Sequence, residues 1–242
     1  MNILISITSW NEKHIPYLQK VLDNYSASFS DMAVSYILST RYNSSSLNLP
    51  NNTTLLTGSR GFMPGHFCWA NKHYIHSASF DYLIESDDDI LVTRDNFNYY
   101  VTHSNILPNN YIPGFLSCET PDSGSPFLIT MSPMFKQIEN TINISGSNYI
   151  VPTNLHSAMF IIDKKRHVSH GSSSKKPYRS SGYNENDLSR TDIYLSSSFT
   201  KVIEKASIVN GSALVNHLPN KYYKISPLYK VPRVNSLNFL TN

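Results

Sequence analysis

The sequence predicts an α/β chain with a mostly parallel central sheet, helices on both of its faces, and a mixed C-terminal region. Three observations carry this. Apolar, β-branched runs at 3–7, 32–40, 53–56 and 80–84 read as strands. Between and after them, apolar residues recur at helical spacing over about 14–26, 64–79 and 95–107. Strand alternating with helix gives parallel pairing covered on both faces.

Taken in order, Ile3 to Ile7 form a strand that runs into Thr8-Ser9-Trp10-Asn11, and Ile15, Leu18, Val21 and Leu22 mark one face of the first helix. Met32–Thr40 is the next strand, residues 43–52 are an Asn/Ser-rich loop, and Thr53–Leu56 is a short strand. A helix from Pro64 to Ser79 precedes the strand Phe80–Ile84, which leads directly into Glu85-Ser86-Asp87-Asp88-Asp89. Beyond the helix at 95–107, Pro and Gly punctuate strand-like pieces at 112–118, 127–131 and 158–162. A Ser/Lys-rich stretch at 169–181, a helix at 187–199, a strand at 201–209 and a basic, aromatic tail follow. The expectation is one domain: a nucleotide-binding half over 1–110, an acceptor half over 111–220 and a tail over 221–242.

Composition excludes several classes. With 20 Lys and Arg against 17 Asp and Glu in 242 residues, the net charge of +3 is no footprint of a nucleic-acid binder. No apolar run reaches the roughly 20 residues that a membrane helix needs. Cys68 and Cys118 lack the spacing of a disulfide framework or a zinc site, so they read as reduced, buried thiols. The N-terminus begins as a strand and not as a secretory signal, which makes a cytoplasmic chain the expectation.

The acidic triplet carries the chemistry. Adjacent carboxylates at the end of an apolar strand repel one another and lose solvation, and a divalent cation compensates both costs. In open α/β sheets ligands bind at the carboxyl ends of the strands, where Asp87, Asp88 and Asp89 fall. Alternation along the strand places Asp87 and Asp89 on one side, able to share a hard cation with phosphate oxygens. The competing reading is an acidic surface turn.

The segment "FDYLIESDDDI" resembles the D-x-D region of glycosyltransferases of the glycosyltransferase-A fold, and "ISITSWNEKHIPYLQKVLDN" is similar to their first strand and loop. "CWANKHYI" and "NFNYYVTHSNILPNNYIPGFLSCE" resemble bacterial surface-polysaccharide glycosyltransferases, and the likeness spans about residues 1–120. It implies Mn2+ or Mg2+ held by Asp87 and Asp89 on the diphosphate of a nucleotide sugar, a UDP-sugar first, with Asp88 beside the donor. It also implies that Thr8, Trp10 and Asn11 cup the nucleobase and ribose, and that Arg60 contacts phosphate. A late His completes the metal shell in many enzymes of that fold, and His217, after a strand-like segment, is placed to do so. The acidic pair that the family sets near the acceptor is met loosely by "ENDLSR", where Asn186 separates Glu185 from Asp187.

A base for the attacking hydroxyl is sought at the start of the helix near 187, where the helix dipole favours a carboxylate. Of the candidates Glu185, Asp187 and Asp192, Asp187 ranks first and Asp192 second; an ordinary helix-capping aspartate is the competing role. The Ser/Lys-rich stretch before them reads as a lid over bound donor. His66, His73 and His76 read as a helix face. The acceptor is expected to be a carbohydrate or a lipid-linked glycan, in bacterial polysaccharide or lipopolysaccharide synthesis with inversion. The tail carries Lys221, Lys224, Lys230 and Arg233 among aromatics, so packing on the domain competes with peripheral contact at the inner membrane. Two rivals stand beside this reading. A metal-dependent Asp-x-Asp phosphatase would carry its motif after the first strand, and a calcium-dependent carbohydrate-binding module would be all-β.

Overall fold

Uninterrupted burial from Ile3 to Ile7 makes β1 (Asn2–Ser9) an interior strand, because a strand covered on both faces needs apolar side chains at odd and even positions alike. The computed structural model describes residues 1–9, 11–40, 42–57, 78–119, 127–128, 138–152, 159–164 and 200–218. They fall into two compact units. One holds the described residues of Met1–Asp89 with those of Ser157–Leu195; the other holds those of Ile90–His156 and Ser196–Asn242.

In the first unit β1 pairs in parallel with both β2 (Ala33–Thr40) and β4 (Tyr82–Asp87). β3 (Thr53–Thr57) adds in parallel to β2. β11 (Met159–Asp163) closes the other edge antiparallel to β4, giving the order β11-β4-β1-β2-β3. The register sets Leu4, Leu83 and Ile162 side by side across three strands, and with Ile37 they form one core cluster. α1 (Ile15–Ser28) has a proline in its first turn, where no backbone N–H is lost. It buries Leu18, Val21, Leu22 and Tyr25, the face expected from sequence plus one further turn. A 3-10 turn, Glu12–His14, precedes it, with the Asn11 side chain accepting from the Lys13 N–H at 3.0 Å.

The second unit contains two four-stranded sheets. β6 (Tyr111–Pro113), β12 (Thr200–Glu204), β10 (Ser147–Pro152) and β9 (Ile138–Ile144) are neighbours in that order. β5 (Ile90–Leu91), β13 (Leu214–His217), β7 (Leu116–Glu119) and β8 (Phe127–Leu128) form the other. α2 (Arg94–Ile106) starts at a capping box between Thr93 and Asn96. Asn96 also donates to the carbonyls of Ser212 and Leu214 at 3.0 and 2.8 Å, fixing the helix start to the approach to β13. Its last turn is pinned by a buried polar group: the Tyr149 hydroxyl meets His103 Nδ1 at 2.8 Å, and Ser207 Oγ lies 3.3 Å from Nε2 while donating to Glu204 at 2.5 Å. Burial holds the His103 imidazole below its usual range against the opposing charge of Glu204.

Some expectations change. The strand expected over 201–209 stops at Glu204 and continues as α3 (Lys205–Val209). Five or so apolar and small residues fit either periodicity, and here the left-handed Gly211 (φ 77°) ends a helical turn, its N–H on the Ile208 carbonyl. The piece at 112–118 divides into β6 and β7. The β9–β10 hairpin has no counterpart in the sequence reading, because Glu, Asn, Thr and Ser interrupt the apolar positions of its strands. Its turn has Ser145 and Gly146 both at positive φ, as a two-residue hairpin turn requires. The acidic strand runs Tyr82–Asp87, later than Phe80–Ile84, so Glu85 and Asp87 belong to the sheet. Of the helix expected at 64–79, only Ala78 and Ser79 are described, and they are not helical; the stretch at 169–181, the helix at 187–199 and the tail lie outside the described residues. No helix among the described residues is long and apolar enough to cross a membrane.

Candidate functional site

Parallel pairing of β1 with β4 brings their carboxyl ends together, Ser6 beside Glu85 and Thr8 beside Asp87. The chain turns at Asp88 and Asp89 before β5, so the strand alternation expected to align Asp87 with Asp89 ends at Asp87. Asp87 is half-buried, whereas Asp88 and Asp89 are each only 3% exposed.

Two buried carboxylates need compensation, and the first unit supplies it from sequence-distant groups. His14, 1% exposed at the end of the 3-10 turn, places Nδ1 3.0 and 3.1 Å from the two oxygens of Asp88. Ser9, the last residue of β1, donates its hydroxyl to Asp88 Oδ2. The same hydroxyl meets the Tyr42 hydroxyl at 2.7 Å, in the loop after β2. Burial pulls the His14 imidazole down, yet its hydrogen bond to Asp88 and the charges of Asp88 and Asp89 leave it above the usual range. Burial pushes the Tyr42 phenol up to about 12 despite its bond to Ser9, with the charges of Asp88 and Glu12 adding to the rise.

A ligand nitrogen of His14 and a carboxylate oxygen from each of Asp88 and Asp89 lie within 4.8 Å of one another. One imidazole and two carboxylates suit a divalent cation such as Mn2+, which tolerates mixed nitrogen and oxygen donors, more than Mg2+, which prefers oxygen alone. The carboxylates of this cluster therefore fit a metal, while His14 Nδ1 is taken up by its contact with Asp88. On the same sheet face as Asp87, Thr8 Oγ1 and Glu85 Oε1 are buried without hydrogen-bond partners among the described residues. Burial, and then the charge of Asp87, hold the Glu85 carboxyl well above the usual carboxylate range.

Of the residues selected from sequence, Thr8, Asn11, Asp87, Asp88 and Asp89 fall in this first unit, and Asn11 is engaged in capping the 3-10 turn. His217 ends β13 in the second unit, its backbone opposite Ile90. Trp10, Arg60, Asp187 and Asp192 lie outside the described residues. His14, Ser9 and Tyr42 escaped selection. No local spacing links them to the triplet, and the only signal was the polar density of "TSWNEKH" after an apolar strand.

No protein-family model matches the chain, and no curated protein matches it in sequence. Among solved structures, it is similar to S. aureus TarS residues 1–349 in complex with UDP-GlcNAc, at 10% identity and a TM-score of 0.52, covering 91% of this chain and 59% of that one. It is also similar to the mannosyltransferase PcManGT from Pyrobaculum calidifontis in complex with GDP-Man and Mn2+, at 12% identity and a TM-score of 0.49, covering 91% and 58%. The galactosyltransferase LgtC, with donor and acceptor sugar analogues, follows at 13% identity and a TM-score of 0.35, covering 89% and 73%. The chain thus spans less than two thirds of the length of the TarS and PcManGT chains. The fold is glycosyltransferase-A-like: an α/β chain with a mostly parallel central sheet.

Proposed function

We propose that the chain is a metal-dependent glycosyltransferase that moves a sugar from a nucleoside-diphosphate donor to a carbohydrate or lipid-linked glycan acceptor. The observation that supports this most is the convergence of Thr8, Asp87, Asp88 and Asp89 at the carboxyl edge of the parallel sheet, where open α/β sheets bind ligands. The likeness to TarS, solved with UDP-GlcNAc, makes a UDP-sugar the first donor to test.

In this reading Asp87 and Asp89 would hold Mn2+ or Mg2+. When bound, the cation stabilises the negative charge that develops on the leaving diphosphate. Thr8, Trp10 and Asn11 receive the nucleoside, Asp88 lies beside the donor and Arg60 meets phosphate. Asp187, with Asp192 as second choice, takes the proton from the acceptor hydroxyl, and a base on the acceptor side corresponds to inversion. A cytoplasmic role in bacterial polysaccharide or lipopolysaccharide synthesis completes the proposal, with the tail packed on the domain ahead of peripheral contact at the inner membrane. The rival carbohydrate-binding module loses ground because the first unit is α/β and not all-β.

The test is release of nucleoside diphosphate from UDP-GlcNAc, other UDP-sugars and GDP-mannose, each with Mn2+, Mg2+ or EDTA. Metal-dependent turnover of one donor, raised by a glycan acceptor, supports the reading. No turnover and no thermal stabilisation with any donor would reject it, since ligand at a hundred times its Kd adds about 2.7 kcal/mol.

A further inference from the structure

We infer that His14 is a positioning residue: it locks the middle aspartate of the triplet to the end of β1, and so fixes the turn that carries the carboxylates of the metal site. This rests on the functional reading above. The observation is a continuous chain of hydrogen bonds, Tyr42 to Ser9 to Asp88 to His14, buried from Ser9 onward, that joins four separate pieces of the first unit. Tyr42 comes from the loop after β2, Ser9 from β1, Asp88 from the turn after β4, and His14 from the turn that opens α1.

Geometry argues for positioning. Both oxygens of Asp88 are engaged by protein groups, His14 at 3.0 and 3.1 Å and Ser9 at Oδ2. A carboxylate so held on both oxygens is restrained, and with it the turn at Asp88 and Asp89. The turn after β4 would otherwise be free to choose among several carboxylate orientations, because adjacent charges repel one another outward. Partners that orient metal-binding carboxylates commonly change metal affinity by about 10- to 100-fold when removed.

Two measurements on the purified chain test this. In metal-free protein, the carboxyl-carbon NMR signals of Asp87, Asp88 and Asp89 are expected to be sharp in wild type. They should be broadened in His14→Ala and Ser9→Ala, and restored in His14→Asn, whose amide N–H replaces that of Nδ1. Free Mn2+, followed by electron paramagnetic resonance, is expected to bind about tenfold or more weakly to His14→Ala, and within about threefold of wild type to His14→Asn. Sharp, unshifted signals in folded His14→Ala or Ser9→Ala would overturn the inference. So would wild-type Mn2+ affinity in either, or a failure of His14→Asn to recover, which would make the imidazole itself a ligand. Wild type that takes up no Mn2+ defeats the functional reading, and the NMR comparison then decides the positioning claim separately.

Discussion

Thr8 and Asp87 stand opposite one another at the last shared position of β1 and β4, and Thr8 Oγ1 is buried there without a hydrogen-bond partner among the described residues. A buried hydroxyl with no partner costs stability, about 1–3 kcal/mol for a group of this kind. A site built for a ligand accepts that cost when the ligand supplies the missing bond. Thr8→Val should therefore raise the melting temperature of the ligand-free protein by about 2–4 °C and weaken uridine diphosphate binding several-fold. Calorimetric titration with a thermal melt checks both, and a lowered melting temperature would contradict the account.

Asp89→Ala is expected to abolish sugar transfer and donor hydrolysis while the protein remains folded. Removing one of three adjacent carboxylates relieves repulsion, so the metal-free melting temperature should stay level or rise. Turnover within tenfold of wild type in Mn2+ buffer would remove Asp89 from the metal site.

Asp187→Asn should lower turnover by about 10² to 10⁴ with donor affinity nearly unchanged, as loss of proton transfer alone requires. Steady-state kinetics beside Asp192→Asn decides the ranking. The larger loss in Asp192→Asn would transfer the role to that residue.

Glu85 gives a pH signature. Burial, followed by the charge of Asp87, raises its folded-state pKa well above 4.5. Between the unfolded value and that raised value the folded chain binds the extra proton. Its contribution is fully present below about pH 4.5 and is lost as pH rises through the folded pKa. Glu85→Gln keeps the shape without the charge, so it should match wild type at pH 4.5 and melt about 2–4 °C higher at pH 8. Equal melting temperatures at pH 8 would show that Glu85 titrates normally.

Much of this was legible in one dimension. Ile3–Ile7, the helical spacing of Leu18, Val21 and Leu22, and the triplet after Ile84 are local patterns, because each reports which side chains a single strand or helix must bury. They determined the α/β class, the order of the first elements and the position of the acidic turn. Where pattern is weak, as in the mixed polar and apolar strands of the β9–β10 hairpin or the short piece at 205–209, the turn geometry at Ser145–Gly146 and Gly211 set the outcome. Only the tertiary structure decided that β11 returns antiparallel beside β4, and that His14 lies against Asp88 across 74 residues of sequence. Local pattern fixes which face is buried but not what is buried against it. The meeting of a buried imidazole with a buried carboxylate is a property of strand order and register, which arises only when the sheet is assembled.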